Sequence, residues 1–281
     1  MEIPYWQVDA FAARPFAGNP AGVCLLEAFP PDELMAEIAA ENRLSETAFL
    51  VRLREDDEAD LHLRWFTPSG DEVELCGHAT LAAAHVVLEE LGASMPRVRF
   101  RTRSGVLTVS REEGTGGRLE MDFPSRPAEP CDPPPELVDG LGVEPEATAV
   151  STDYLAELVD EDAVRSLDPD MRLLERLDRR GVIATARGRD ADFVSRFFAP
   201  KLGVPEDPVT GSAHCTLAPY WSERLGRREL RARQVSRRGG DVWCVHRGER
   251  VTLGGTAARY LEGVISVTAG DGGPGSAGGR S

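Results

Sequence analysis

Two stretches of the chain, 134 positions apart (210 − 76), carry one device twice. Phe66-Thr67-Pro68 leads to Cys76-Gly77-His78-Ala79, and Phe198-Ala199-Pro200 leads to Thr210-Gly211-Ser212-Ala213, with a slightly longer turn in the second copy. Each copy runs from a strand-like segment, Leu61 to Thr67 or Phe193 to Phe198, through an acidic turn into a helix that opens at Gly77 or Gly211. Glycine at a helix start permits close backbone approach, and the first helical turn leaves amide donors unpaired. The chain is therefore expected to be a duplicated fold with a shared site. Where the halves face each other, two positive helix ends point into one cleft and make a receptor for a carboxylate or another anion.

A chain of 281 residues with 41% hydrophobic content can bury a substantial core and suits two domains. The expected division is residues 1–124, residues 125–268 and a Gly/Ser-rich tail, 269–281, that should be disordered. The Pro-rich span from Pro124 to Pro135 is the natural crossover. A net charge of −15 argues against a nucleic-acid partner, and the arginines between Arg224 and Arg238 read as a solvated surface. There is no basic start followed by an apolar run and no stretch of 18 consecutive apolar residues, so no membrane partner is expected and the location expected is cytoplasmic. Five widely spaced cysteines without a Cys-x-x-Cys pair indicate neither a disulfide framework nor a zinc site.

The pattern predicts strands at Ile3–Ala10, Gly22–Leu26, Thr47–Arg52, Leu61–Thr67, Val98–Thr102 and Val106–Ser110, with helices from Pro31 to Glu41 and from His78 to Leu91. The second helix is apolar nearly all round, so a curved sheet should wrap it. The second half repeats the plan, with strands near Leu119–Phe123, Tyr154–Leu158, Val182–Ala186 and Phe193–Phe198, a helix from Ser212 to about Arg224, and strands near Leu230–Ser236, Asp241–His246, Arg250–Leu253 and Leu261–Val267. The fold class is α/β (α+β), with two pseudo-symmetric domains, each a curved mixed sheet around a central helix.

Glu46 opens a strand both of whose faces look partly buried. Lost hydration would raise its pKa toward the range where a carboxylate accepts and returns a proton near neutral pH, although a strand-end Glu can also reach solvent. His78 and Ser212 occupy equivalent first-turn positions; the histidine could relay a proton, and the serine could bind a carboxylate or cap its helix. Asp207 sits in a turn flanked by Pro205 and Pro208, rigid enough to hold a site carboxylate. Cys76 at a helix start would have a lowered thiol pKa, but its counterpart Thr210 does not titrate, so a two-thiol mechanism is unavailable. Cys215, inside the second helix, reads as core. Asn19 reads first as a turn residue between the first two strands, with the cleft as the alternative. His62, His85 and His246 show no metal-ligand spacing and no phosphate-cradling loop is present, so neither metal nor nucleotide is expected.

Asp9-Ala10-Phe11, Pro15-Phe16-x-Gly18-Asn19-Pro20-Ala21, Ser45-Glu46-Thr47-Ala48-Phe49, Leu75-Cys76-Gly77-His78-Ala79-Thr80 and Glu206-Asp207-Pro208-Val209-Thr210-Gly211-Ser212-Ala213-His214 together resemble the PhzF-type phenazine-biosynthesis proteins, over residues 3 to about 267. The resemblance implies the diaminopimelate epimerase fold, a site in the interdomain cleft, a homodimer and no cofactor. It implies that the glutamate matching Glu46 moves a proton along a cyclohexadiene, converting trans-2,3-dihydro-3-hydroxyanthranilate toward its ketone, with residues matching His78, Asp207 and Ser212 around the substrate. Cys-Gly-His departs from the phenazine enzyme and marks a broader branch, so that substrate does not carry over. The paired cysteines of diaminopimelate epimerase would map to Cys76 and Thr210, and half of that pair is missing.

The expected activity is thus a cofactor-independent isomerase acting on a small carboxylate. Glu46 would shuttle the proton, His78 and Asp207 would orient and polarise the substrate, and Ser212 with the amides after Gly77 and Gly211 would bind anionic oxygen, with Asn19 and Cys76 also lining the site. The rivals are an amino-acid racemase or epimerase using Cys76, and a non-catalytic binding protein on the same fold.

Overall fold

The computed structural model describes residues 1–54, 58–92 and 95–267, so the tail expected to be disordered, 269–281, lies outside the described residues. The duplication is visible in the order of strand pairing. In the first half, Glu2–Ala10 pairs antiparallel with Asn19–Leu26, which pairs parallel with Glu46–Arg52, which pairs antiparallel with Leu61–Phe66. Leu61–Phe66 then runs parallel to Arg97–Thr102, and Gly105–Arg111 and Leu119–Pro124 follow antiparallel. The second half passes through the same sequence of antiparallel and parallel pairings, in strands Ala147–Val150, Tyr154–Glu157, Val182–Arg187, Phe193–Ala199, Glu229–Gln234, Gly240–His246 and Arg250–Gly255.

The halves join through equivalent strands, because Leu119–Pro124 pairs antiparallel with Arg250–Gly255. The last strand, Ala257–Ser266, pairs antiparallel along the whole of Glu2–Ala10. A boundary at residues 124 and 125 would give that strand to the second half, yet its partner is the first strand of the chain.

Each half holds one central helix. Gly77–His85 buries every residue from His78 to Ala84, as a helix without a polar face must. Its continuation differs from the single helix expected to Leu91: Val86–Glu90 is a π-helical turn closed by Leu91 N donating to Val86 O at 2.9 Å. The wider turn brings position i+5 over position i, which sets His85 Nε2 3.3 Å from Glu90 Oε1. The second central helix, Gly211–Leu225, buries most of its length and packs Trp221 flat on Phe193, ring centroids 5.7 Å apart. One apolar cluster runs through both halves, from Ala10 and Leu81 to Leu217 and Leu253.

A second repeated contact supports the turns that lead into these helices. Arg64 Nε donates to Glu72 Oε1 at 2.8 Å and its guanidinium lies 5.1 Å from the centre of the Phe66 ring. Arg196 Nε donates to Glu206 Oε1 at 2.7 Å and lies 4.8 Å from the Phe198 ring. The arginines from Arg224 to Arg238, expected to be merely solvated, are largely matched to carboxylates: Arg224 to Glu157, Arg227 to Asp192, Arg233 to Asp241 and Arg238 to Asp9. Short helices at Pro135–Leu141, Glu161–Ser166 and Met171–Leu174 were not legible in the sequence, being too short for an apolar period to emerge.

Candidate functional site

The two central helices start against each other. A Cβ added at Gly77 would stand 3.7 Å from the Cα of Gly211, and one added at Gly211 would stand 3.7 Å from the Cα of Gly77. Beside this contact lies a cavity of about 620 Å3 lined by Glu46, Cys76, Gly77, His78, Asp207, Gly211 and Ser212, with Phe123 and Phe197 among its apolar walls. The first-turn amides of both helices, unpaired by their position, open toward one ligand-sized space.

Glu46 is the first residue of its strand and shares a face with Ala48 and Leu50, which pack into the core around the central helix. Its Oε2 lies 3.0 Å from Nε2 of His78, and the two side chains are 19% and 8% exposed. Both atoms are covered, and the ring N–H is not aimed at the oxygen, so the contact is one of charge and leaves each atom without a directed hydrogen bond among the described residues. The sequence expectation of a raised Glu46 pKa is overturned. Burial does push the carboxyl up, but the His78 charge, with a hydrogen bond from Cys76, holds it below its ordinary value. For His78 burial pulls down, while its neighbours Cys76 and Glu46 lift the imidazole well above 6.5. The resting pair is a carboxylate and an imidazolium.

Cys76 also departs from expectation. Its Sγ is 3.6 Å from His78 Nδ1, but burial and the Glu46 charge raise the thiol pKa, outweighing the neighbouring histidine and the helix start. It is a thiol, not a thiolate.

Asn19 corrects the turn assignment. It is fully buried and begins the strand Asn19–Leu26, opposite Ala10. The turn is made by Gly18, at φ +64° and so close to Ala10 that a Cβ would lie 2.1 Å from its carbonyl oxygen. Asn19 Nδ2 donates to Asp207 Oδ1 at 2.8 Å and to Val209 O at 2.9 Å, and stands 3.2 Å from His78 Nδ1. Asp207, at the end of the short strand Val204–Asp207, also accepts from Thr210 Oγ1 at 2.5 Å. Burial raises its pKa, against the His78 charge and the donors Thr210 and Asn19. The Asp9-Ala10-Phe11 and Pro15 to Gly18 motifs thus serve architecture: Asp9, 2% exposed, accepts from Phe16 N at 2.8 Å and from Arg238 Nη2 at 2.8 Å, fixing the loop that delivers Asn19.

The repeat extends into the site. Ser212 takes the place of His78 on the second helix, and Arg180 stands one residue before Gly181, the register counterpart of Glu46, since Val182 faces Phe198 as Thr47 faces Phe66. A contact to the first helical turn is made in both halves: His78 and Glu46 at 3.0 Å, Arg180 Nη2 donating to Ser212 Oγ at 3.0 Å. Arg180 and Arg126 line the cavity and were missed by sequence reasoning. Arg180 sits in an unmarked Arg179-Arg180-Gly181 run, and only carrying the internal repeat back from Phe198 to the strand beside it would have exposed it. Thr80 and His214, also equivalent, each reach the carbonyl of the residue before their helix, Thr80 to Cys76 O and His214 Nδ1 to Thr210 O at 2.8 Å. Burial holds His214 neutral, with a pKa near 4, and its part is structural.

Glu46, Cys76 and His78 present ligand atoms within 4.8 Å of one another, the one such group among the described residues that could grip a metal ion. His78 offers a different ring nitrogen to each neighbour, Nε2 to Glu46 and Nδ1 to Cys76. A single ion bound through all three would require this ring to turn or one neighbour to let go.

Fold and site together define a mixed α/β protein in which two pseudo-symmetric helix starts meet beside a paired carboxylate and imidazole. The profile of the phenazine biosynthesis-like protein family (PhzC-PhzF) matches residues 8–263, and the chain belongs to that family. A Pseudomonas aeruginosa protein named as an uncharacterized isomerase is 52% identical over 269 residues, covering 95% of this chain and 100% of the relative. The crystal structure of a PhzF-family phenazine biosynthesis protein from Enterococcus faecalis superposes with a TM-score of 0.90 at 43% identity, covering 95% of this chain and 100% of that one. A hydroxyproline epimerase from Agrobacterium vitis shares the fold alone, with a TM-score of 0.63 at 13% identity over 94% of this chain and 92% of its own. Family and relatives' names support an isomerase-type activity. No helix among the described residues is long and apolar enough to cross a membrane.

Proposed function

We propose that the protein is a cofactor-independent isomerase that moves a proton within a small carboxylate substrate held in the cleft between its halves. The observation that carries this reading is the 3.0 Å pair of Glu46 and His78 beside the meeting point of two helix starts. The substrate carboxylate binds the amides that follow Gly77 and Gly211 and the Ser212 hydroxyl, where unpaired N–H groups and helix dipoles favour negative charge. Glu46, ionised at rest, takes a proton from a carbon beside the substrate's unsaturated or carbonyl group and returns it to another carbon. His78, protonated at rest, faces the negative charge that develops as the C–H bond breaks. Cys76 Sγ, 3.6 Å from His78 Nδ1, is the acceptor within reach of the protonated ring, and Asn19 fixes the Asp207 carboxyl. Cys76, a neutral thiol opposite the non-titrating Thr210, is not assigned the proton transfer, which sets the racemase reading aside.

The test is proton exchange in deuterated water with a panel of small unsaturated and 2-amino carboxylates. Glu46→Gln should lower both turnover and deuterium incorporation by about 10²-fold or more with the fold intact by circular dichroism. Exchange at the wild-type rate in that variant defeats the assignment.

A further inference from the structure

The cavity holds charges of both signs. Glu46, His78, Asp207, Arg126 and Arg180 all line it, with Arg180 against Ser212. Arg180 donates through Nε and Nη2 to Asp153 at 3.0 and 2.6 Å, and through Nη2 to Ser212, which leaves Nη1 without a partner among the described residues. The Arg126 guanidinium donates only to Thr152 Oγ1, at a long 3.4 Å, and makes no ion pair among the described residues, while its backbone N donates to Cys215 O at 3.0 Å. Arg126 is thus a cavity guanidinium with no carboxylate partner among the described residues, in a chain of net charge −15 many of whose other arginines are matched. Burial drives the Cys215 thiol up to about 12, and Arg126, Arg250 and Arg180 all pull against it.

One carboxylate is already provided for by the helix starts and Ser212. We infer that the ligand of this cavity is a small dicarboxylate whose second carboxylate is held by Arg126 and by the free Nη1 of Arg180; the inference rests on the carboxylate reading above. A guanidinium presents its donors in a plane that matches the two oxygens of a carboxylate. Phe123 and Phe197, with Arg180 lying 5.5 Å from the Phe197 ring centre, supply flat apolar walls that suit a planar group and offer nothing to the third oxygen of a phosphate.

The experiment uses glutarate and butyrate as probes, titrated into the full chain while the His78 ring signals are followed by NMR. Glutarate should bind about tenfold or more tighter than butyrate, and Arg126→Gln should bring the two within about threefold of each other. Arg126 is the residue to change because it has no carboxylate partner to leave stranded; Arg180→Lys, which keeps a charge opposite Asp153, is the second variant and should narrow the ratio as well. Equal affinity for the two acids in the wild type, or a ratio that neither variant alters, overturns the dicarboxylate inference and leaves the Glu46 exchange result untouched. Failure of both acids to perturb His78 removes the carboxylate receptor itself, and the proposed function with it.

Discussion

A buried carboxylate beside a buried imidazole settles its proton by mutual charge, and Glu46 and His78 show which effect wins. Glu46 is held below 4.5 and His78 above 6.5 although burial alone would push each the other way. For stability the signs are opposite. The lowered carboxyl contributes above its unfolded value, and the contribution is lost as pH falls through its folded one; the raised imidazole contributes below 6.5, and the contribution is lost as pH rises through its folded value. The pair is therefore worth most between about 4.5 and 6.5. Activity should hold across that window and beyond it on both sides, failing only as pH falls through the lowered carboxyl value or rises through the raised imidazole value, as a pH profile of kcat/KM would show. In Glu46→Gln the imidazole loses its counter-charge, so its NMR titration midpoint should drop by at least one pH unit or so. An unchanged midpoint would mean that Glu46 does not govern it. Cys76→Ser should reduce turnover only in part, and an alkylating reagent should react slowly with a buried neutral thiol; full inactivation by the serine would hand the chemistry to Cys76.

At the scale of elements, the repeated Phe-x-Pro entry and Gly-led helices were legible because glycine and proline punctuate a chain wherever they stand. What they deliver to the cleft was legible only where a motif marked it. Glu46, His78, Asp207 and Ser212 lie around one cavity, but Arg180 was invisible, because a strand's flanking residue carries no periodic signal and its equivalence to the Glu46 region depends on register. Asn19 was misread for a related reason: Gly-Asn-Pro looks like a turn, and only the close approach of Gly18 to Ala10 shows that the turn ends before Asn19. The pKa directions at Glu46 and Cys76 could not follow from secondary structure, since they come from groups that meet only in the fold. The meeting of Gly77 and Gly211 invites a test. Alanine at either position would make only ordinary contacts of 3.7 Å, so the fold has room for it. Gly77→Ala and Gly211→Ala should therefore leave thermal stability unchanged or raise it by up to about 1 kcal/mol, while weakening glutarate binding about tenfold by crowding the amides. A large loss of stability instead would mean that the glycines serve packing.

The whole molecule is closed by its ends. Ala257–Ser266 lies along the first strand, Ile265 and Val267 pack with Ile3 against the helix Asp32–Asn42, and Met1 O accepts from Val267 N at 2.8 Å. Truncation after Gly255 should therefore destabilise the first half, which is distant in sequence, with a fall in Tm of about 10 °C or more by calorimetry. A smaller fall would make the closing strand an accessory. The backbone of the cleft is close to twofold, with helix start facing helix start, and a receptacle of that shape would accept a molecule equally well either way round. The side chains forbid it: where one half places glutamate against histidine, the other places arginine against serine. The cleft is thereby given a head and a tail, and under the proposed function a substrate would lie in a single orientation and show one chosen face of its carbon skeleton to Glu46. Handedness in the product would be written by that asymmetry before any proton moves.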